Sequence, residues 1–426
     1  MHPITHTTNR HLLSMVVGVT LLSLGLFACG GSQHDVDNGK NAHDSHHPSS
    51  PVIPASSPST NLPNTGLPNA SDWQWQLPAN FPLPVVPNDN PMSVAKVELG
   101  RHLFYDKRLS GNATQSCVSC HQQDKAFTDG LPTAIGSTGE KHPRNSQTLV
   151  NVAYSPTLTW ANPALTSLEK QMQSPIFGEH PIELGINDNN KADIVQRFAQ
   201  DSRYQRLFAN AFPDLANQPD KLFNFEHIVQ AIASFERSIV SADSRYDRYL
   251  QGKAELTAQE VRGMNLFNGD KAECSHCHTS FNFTDQVRYA GQRQVDTPFH
   301  NTGLYNLDQK GSYPNGNGGV FELSGNYSDM GKFRTPSLRN IAVTAPYNHD
   351  GSTPTLEAVL QNYANGGRNL TTGQFVGDGR TNPNKDDLIV SINLSPSEQA
   401  DIVAFLRTLT DETLLTNPRF ADPFVH

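Results

Sequence analysis

Basic charge, long apolar runs and alternating apolar patterns are all in short supply in this chain of 426 residues, and so is cysteine. Lys and Arg number 32 against 41 Asp and Glu, a net charge of −9 with histidine neutral, so no basic surface is offered to nucleic acid. The one apolar run, Leu12 to Ala28, is too short and too soon followed by polar sequence to cross a membrane. No sustained alternation points to a large sheet, and the fold is expected to be mainly α, with long loops and little sheet. Only five cysteines occur, and four of them are confined to two short motifs.

Those motifs are Cys117-Val118-Ser119-Cys120-His121 and Cys274-Ser275-His276-Cys277-His278. Cys-x-x-Cys-His is the attachment pattern of c-type haem. The two thiols add across the vinyl groups, and the next histidine is carried under the iron as proximal ligand. A four-thiolate zinc site, a redox disulfide and chance are the rival readings. Zinc spacing favours closer pairs and does not require a histidine after both second cysteines. Two covalent haems are therefore expected.

The start of the chain reads as an address. Arg10 precedes the apolar run, which ends Leu26-Phe27-Ala28-Cys29 and resembles a bacterial lipobox. Residues 1–29 are expected to direct export to the periplasm, with Cys29 acylated and the outer membrane favoured over the inner; an ordinary cleaved signal with an incidental cysteine is the alternative. Residues 30–71 are rich in Ser, Pro, Asn, Gly and His and read as a disordered tether, because they cannot bury enough apolar surface to offset their ordering entropy. Loose copper or zinc binding by His34, His43, His46 and His47 is weighed against solvated linker histidines, and the latter fits better. The remaining ~350 residues are too many for one haem module. The expected division is 72–250 and 251–426, two cytochrome c-like domains facing each other.

The halves share a local grammar. Leu103-Phe104 precede the first motif and Phe127-Thr128-Asp129 follow it; Leu266-Phe267 and Phe283-Thr284-Asp285 do the same around the second. Asn90-Pro91 is expected to open a helix to about Tyr105, with proline at its first position. Capping boxes at Thr257/Glu260 and Ser395/Glu398 predict helices to about Phe267 and Leu409. Ile228, Ile232, Phe235 and Ile239 define one face of a long helix predicted from Asn224 to Leu250.

Gly100-Arg101-His102-Leu103-Phe104, Leu109-Ser110-Gly111, Arg144-Asn145, Phe333 to Asn340 and Thr344-Ala345-Pro346-Tyr347-Asn348-His349-Asp350-Gly351 resemble the bacterial di-haem cytochrome c peroxidase and MauG family, over about Pro91 to Leu409. Leu158 to Pro163 and Phe177 to Gly185 look closest to its MbnH-like branch, whose members are paired with a copper-binding MbnP-type protein and convert a tryptophan of it to kynurenine. The resemblance implies a peroxide-using enzyme that forms a high-valent di-haem state and modifies a partner protein. The alternatives are a cytochrome c peroxidase fed by a small cytochrome or cupredoxin, and a non-catalytic electron carrier.

The resemblance also assigns roles. Family peroxidases cap the first iron with a histidine after Ile-Gly; here Ser137 follows Ile135-Gly136, so the His121 haem is expected to be open, unless His142 folds back onto it. The distal ligand of the His278 haem falls at Tyr363, a hard anionic oxygen that suits oxidised iron where thioether suits the ferrous state; a packed helix tyrosine is the alternative. Trp160 matches the tryptophan between the haems, and packing is its alternative role. Gln171 and Glu183 match the residues on the open side of the first haem, with Glu183 as the acid–base group and Glu179 and His180 as competitors. Asn145 with the carbonyls of Thr344 and Pro346 matches a calcium site, and Arg334 and Arg339 are expected at haem propionates or in surface ion pairs.

Overall fold

The computed structural model describes residues 72–425. The leader, the tether, Cys29 and the four tether histidines lie outside the described residues.

Ser93 starts the first helix, α1 (Val94–Tyr105), by accepting the amide of Lys96 on its side chain. Pro91 therefore precedes the helix instead of occupying its first turn, and its carbonyl accepts from the buried Lys96 Nζ at 2.8 Å. The predicted helix from Asn224 to Leu250 is two: α2 (Phe225–Ser238), and a short helix Arg245–Leu250 with its own Ser244–Asp247 capping box. Between them the Asp411 carboxylate accepts Ser241 Oγ and the amides of Ala242 and Asp243, all at 3.1 Å. A carboxylate satisfying three donors outcompetes the intrahelical ladder there. The two boxes read from the sequence are formed, on α3 (Ala258–Asn268) and α5 (Pro396–Arg407), with α4 (Leu356–Ala364) capped by Thr355.

The repeat in sequence is a repeat in packing. α1 crosses α2 at Gly100, where an added Cβ would stand 1.9 Å from the Ala231 carbonyl oxygen; α3 crosses α5 at Gly263, where it would stand 1.9 Å from that of Asp401. Only glycine lets the backbones meet so closely. Each crossing carries an aromatic triad. Phe104 lies 6.2 Å from Phe127 and 5.1 Å from Phe235; Phe267 lies 6.1 Å from Phe283 and 5.3 Å from Phe405. These are edge-on and tilted geometries that ring quadrupoles favour. The Leu-Phe and Phe-Thr-Asp words of each half thus supply two of its three core rings.

Two large apolar cores follow, one built on α1 and α2, the other on α3, α4 and α5. The chain's last turns return to the first core through Leu414 and Phe420. Sheet is confined, among the described residues, to two short antiparallel pairs: β1 (Phe299–His300) with β2 (Phe333–Arg334), and β3 (Asn369–Leu370) with β4 (Gly377–Asp378). The mainly helical architecture is as expected.

Candidate active site

One cavity of about 620 Å³ runs along the inner faces of both cores, and its walls include Cys117, Cys120, His121, Cys274, Cys277 and His278. None of these four cysteines is joined in a disulfide. Both histidines are half-buried, and desolvation lowers their pKa, which favours the neutral rings. His121 Nδ1–H donates to the Phe127 carbonyl at 2.9 Å and His278 Nδ1–H to that of Phe283 at 3.1 Å, which leaves both Nε2 lone pairs for a metal. Phe127 and Phe283 take left-handed φ values of 61° and 52°, a strain of about 1–3 kcal/mol each that aims the carbonyl at the ring.

The other walls fit the same group. Arg334 is half-buried and bonded through Nε to the Thr159 carbonyl and through Nη2 to Gln147, with no carboxylate within ion-pairing distance among the described residues. Burial pushes its pKa down to about 10, and an anionic propionate would relieve that cost. Arg339 is a correction. It is absent from the cavity wall, pairs with buried Asp247 at 2.8 and 3.0 Å, and gives two further bonds to the Phe281 carbonyl. Those partners hold the helix Arg245–Leu250 against the second motif's loop and leave little for a propionate.

On the first-motif side, the loop after Gly136 folds back onto residues 182–185. A side chain at 136 would collide with the Ile182 carbonyl at 1.7 Å, and Ser137 N–H donates to the Glu183 carbonyl at 2.8 Å. Glu183, Gln171 and His142 all line the cavity, whereas Glu179 and His180 are exposed and outside it. Burial raises the Glu183 carboxyl to about 7. His142 Nε2 stands 3.7 Å from Glu183 Oε1, its Nδ1 being held by the Arg144 main chain at 3.1 Å. Gln171 closes the short helix Leu168–Gln171, which Glu169 ties to Arg237 at 2.7 Å and Asn90 at 2.8 Å.

Trp160 sits where the walls of the two motifs meet. It is 9 % exposed, its Nε1–H donates to the Asn145 carbonyl at 2.9 Å, and its carbonyl accepts the Arg334 amide at 2.8 Å. Asn145 Nδ2 bonds the Leu131 carbonyl, which leaves its Oδ1 unspent, and Thr344 and Pro346 share the same cavity. Tyr363 projects from α4 into the wall beside the second motif. Burial and then Cys277 and Cys274 raise its phenol, which accepts or donates no protein hydrogen bond among the described residues.

Sequence reasoning missed His300. Asp285 holds its Nε2 at 2.7 Å and Asp386 its Nδ1 at 2.6 Å, and the Asp285 bond foremost raises it to about 11, an imidazolium at neutral pH beside Cys277. Asp285 belongs to the repeated Phe-Thr-Asp word, but nothing near His300 in sequence announces the pairing. Glu236, also unremarked, lines the cavity with Oε2 unpartnered and is raised to about 8 by burial.

A helical fold carrying two histidine-fixed Cys-x-x-Cys-His sites on one cavity defines a di-haem c-type protein. The family model for di-haem cytochrome c peroxidase matches residues 94–255. The cytochrome-c peroxidase IdrP1 of Pseudomonas sp. (strain SCT) is 37% identical over 78% of this chain and 86% of its own. The methylamine utilization protein MauG of Methylorubrum extorquens is 32% identical over 76% and 81%. A crystal structure of a MauG-like protein associated with microbial copper homeostasis is 55% identical, with a TM-score of 0.81 over 83% of this chain and 100% of that one. The di-haem peroxidase BthA of Burkholderia thailandensis, 22% identical with a TM-score of 0.60 over 78% and 90%, shares the fold. The chain belongs to the di-haem cytochrome c peroxidase/MauG family. It is a haem peroxidase-type oxidoreductase with two haem cofactors and peroxide as substrate.

Proposed function

We propose that this enzyme oxidises a partner protein, modifying a tryptophan of it at the expense of hydrogen peroxide. The observation that carries the reading is Tyr363: a half-buried phenol with no protein hydrogen bond among the described residues, in the wall of the cavity that His278 also lines, would give bound iron an oxygen donor, ionised by the metal, in place of a thioether. Covalently attached haem, held by Cys117, Cys120 and His121 and by Cys274, Cys277 and His278, would supply redox-active iron that gives two electrons to each peroxide and regains them from the donor. Glu183 takes a proton from one peroxide oxygen and returns it to the departing one, with a pKa of about 7 that suits both halves of the task. Gln171 orients the peroxide. His142 is turned toward Glu183, which supports its not serving as a ligand on the His121 side. Trp160 relays electrons between the two sites, Arg334 holds a propionate, and Asn145 Oδ1 with the Thr344 and Pro346 carbonyls holds a calcium ion.

The partner in this reading is an exported copper-binding protein of the MbnP type, and the 55% identity to a protein whose description links it to copper homeostasis supports that choice. The leader and its Leu-Phe-Ala-Cys ending support a periplasmic protein anchored through acylated Cys29, outer membrane before inner. Relatives named cytochrome-c peroxidase favour a second reading, peroxide removal with electrons from a small cytochrome or cupredoxin. A silent di-haem electron carrier is the third. Mixing the diferric protein with peroxide tests all three. Partner modification expects a near-infrared charge-resonance band that Tyr363→Phe abolishes, and a mass change on the partner's tryptophan. A band unchanged in that variant overturns the reading, and a spectrum that peroxide does not move leaves only the carrier.

A further inference from the structure

Behind the cavity wall, Trp160 shares an apolar cluster with Phe333, Tyr313 and Tyr305, and the half-buried Phe375 closes it at the surface. Ring centroids are 6.3 Å apart from Phe333 to Tyr313, 5.4 Å from Tyr313 to Tyr305 and 5.9 Å from Tyr305 to Phe375. None of the three tyrosine or rim rings touches the cavity, and the chemistry proposed above does not use them.

Their hydroxyls are not equivalent. An oxidised phenol is a very strong acid, so a tyrosine gives up an electron readily only where a base receives its proton. Tyr313 donates to the Asn301 amide oxygen at 2.7 Å, and an amide is no base at neutral pH. Tyr305 donates at 2.6 Å to Asp350 Oδ2, whose other oxygen accepts the Ser352 amide at 3.0 Å. Burial acts against that carboxylate, but its hydrogen bonds and charged neighbours outweigh it and hold the pKa low. Tyr204 also meets a carboxylate, Asp106 at 2.8 Å, but that group is already claimed by Arg108 and lies outside the Trp160 cluster.

We infer that Tyr305, with Asp350 as its proton acceptor, is a redox-active relay that carries oxidising equivalents from the Trp160 side of the cavity to the Phe375 surface. In each transit one electron leaves Tyr305 toward Trp160, its O–H bond breaks, and the proton moves to Asp350 Oδ2. An electron from an outside donor then restores the phenol as Asp350 returns the proton. Two transits deliver the two electrons that, with two protons, reduce one hydrogen peroxide to two waters. The inference rests on the proposed partner oxidation and names where the electrons enter.

The test is freeze-quenched electron paramagnetic resonance of the peroxide-treated diferric holoprotein, grown with ring-deuterated tyrosine, with the visible spectrum recorded alongside. A tyrosyl signal narrowed by deuterium is expected in the parent and in Tyr204→Phe, and its loss in Tyr305→Phe. Asp350→Asn keeps a hydrogen-bond acceptor without the base and should cut the signal by roughly tenfold or more. A spin-trap adduct on the Tyr305 peptide gives a second readout by mass. A visible change with no tyrosyl signal, or with a signal intact in Tyr305→Phe, overturns the relay and leaves the peroxidase chemistry standing; a visible spectrum that peroxide does not move overturns both.

Discussion

Replacing Glu183 by glutamine keeps the size and hydrogen-bonding shape of the side chain and removes its capacity to exchange a proton. Burial holds the carboxyl at about 7, so roughly one in eleven is ionised a pH unit below that value and ten in eleven a unit above. The ionised form is the base, and the second-order rate with peroxide should therefore climb about tenfold between pH 6 and pH 8. His142, only 3.7 Å away, is lowered by burial, which favours its neutral form. The glutamine variant should lose roughly 10²–10³-fold in that rate and show a flat profile, measured by stopped-flow absorbance on the diferric protein. A variant that keeps the limb would mean that another group takes the proton. Stability supplies a control whose sign is opposite. The native carboxyl holds its proton after the unfolded chain has released one, so the parent's stability declines as pH rises from the ordinary carboxylate range through about 7, and Glu183→Gln escapes that decline. Lost rate with unimpaired melting separates chemistry from misfolding.

Three further outcomes follow from the geometry. Gly263→Ala drives a Cβ to 1.9 Å from the Asp401 carbonyl; even after the ~1 kcal/mol gained in helix propensity it should cost about 1–3 kcal/mol in denaturant unfolding, and Gly100→Ala should behave alike. An unchanged midpoint for both would contradict the close crossings. Cys274→Ser with Cys277→Ser should lower the intact mass by one haem and halve the pyridine haemochrome absorbance, while the two-haem mass surviving would refute the attachment. Trp160→Phe keeps the ring packing but drops the bond to the Asn145 carbonyl, costing about 1 kcal/mol and weakening the near-infrared band; a full-strength band would remove Trp160 from the relay.

Much of the site was legible because covalent haem attachment is a local contract, written in five consecutive residues. The repeated words around each motif were legible too, and their meaning is now physical. One phenylalanine packs against its helix's ring, the other turns a carbonyl onto the histidine. Capping boxes were read correctly for the same reason, since their partners lie three residues apart. The long helix was not, because Asp411, 170 residues from Ser241, takes the donors that would have continued it. Sequence preferred Glu183 over its neighbours in the lengthened loop, and the fold agrees by turning Glu179 and His180 to solvent.

Chain order by itself determined the mainly helical class, the two attachment points, their proximal histidines and the duplicated helix words, all of which depend on residues within a few turns of one another. Tertiary structure decided what those words enclose: one shared cavity, the pairing of His142 with Glu183, the imidazolium of His300 between Asp285 and Asp386, and the diversion of Arg339 to Asp247. Such pairings join side chains 15 to 92 residues apart, and burial, which sets their protonation, exists only once the chain has closed around them.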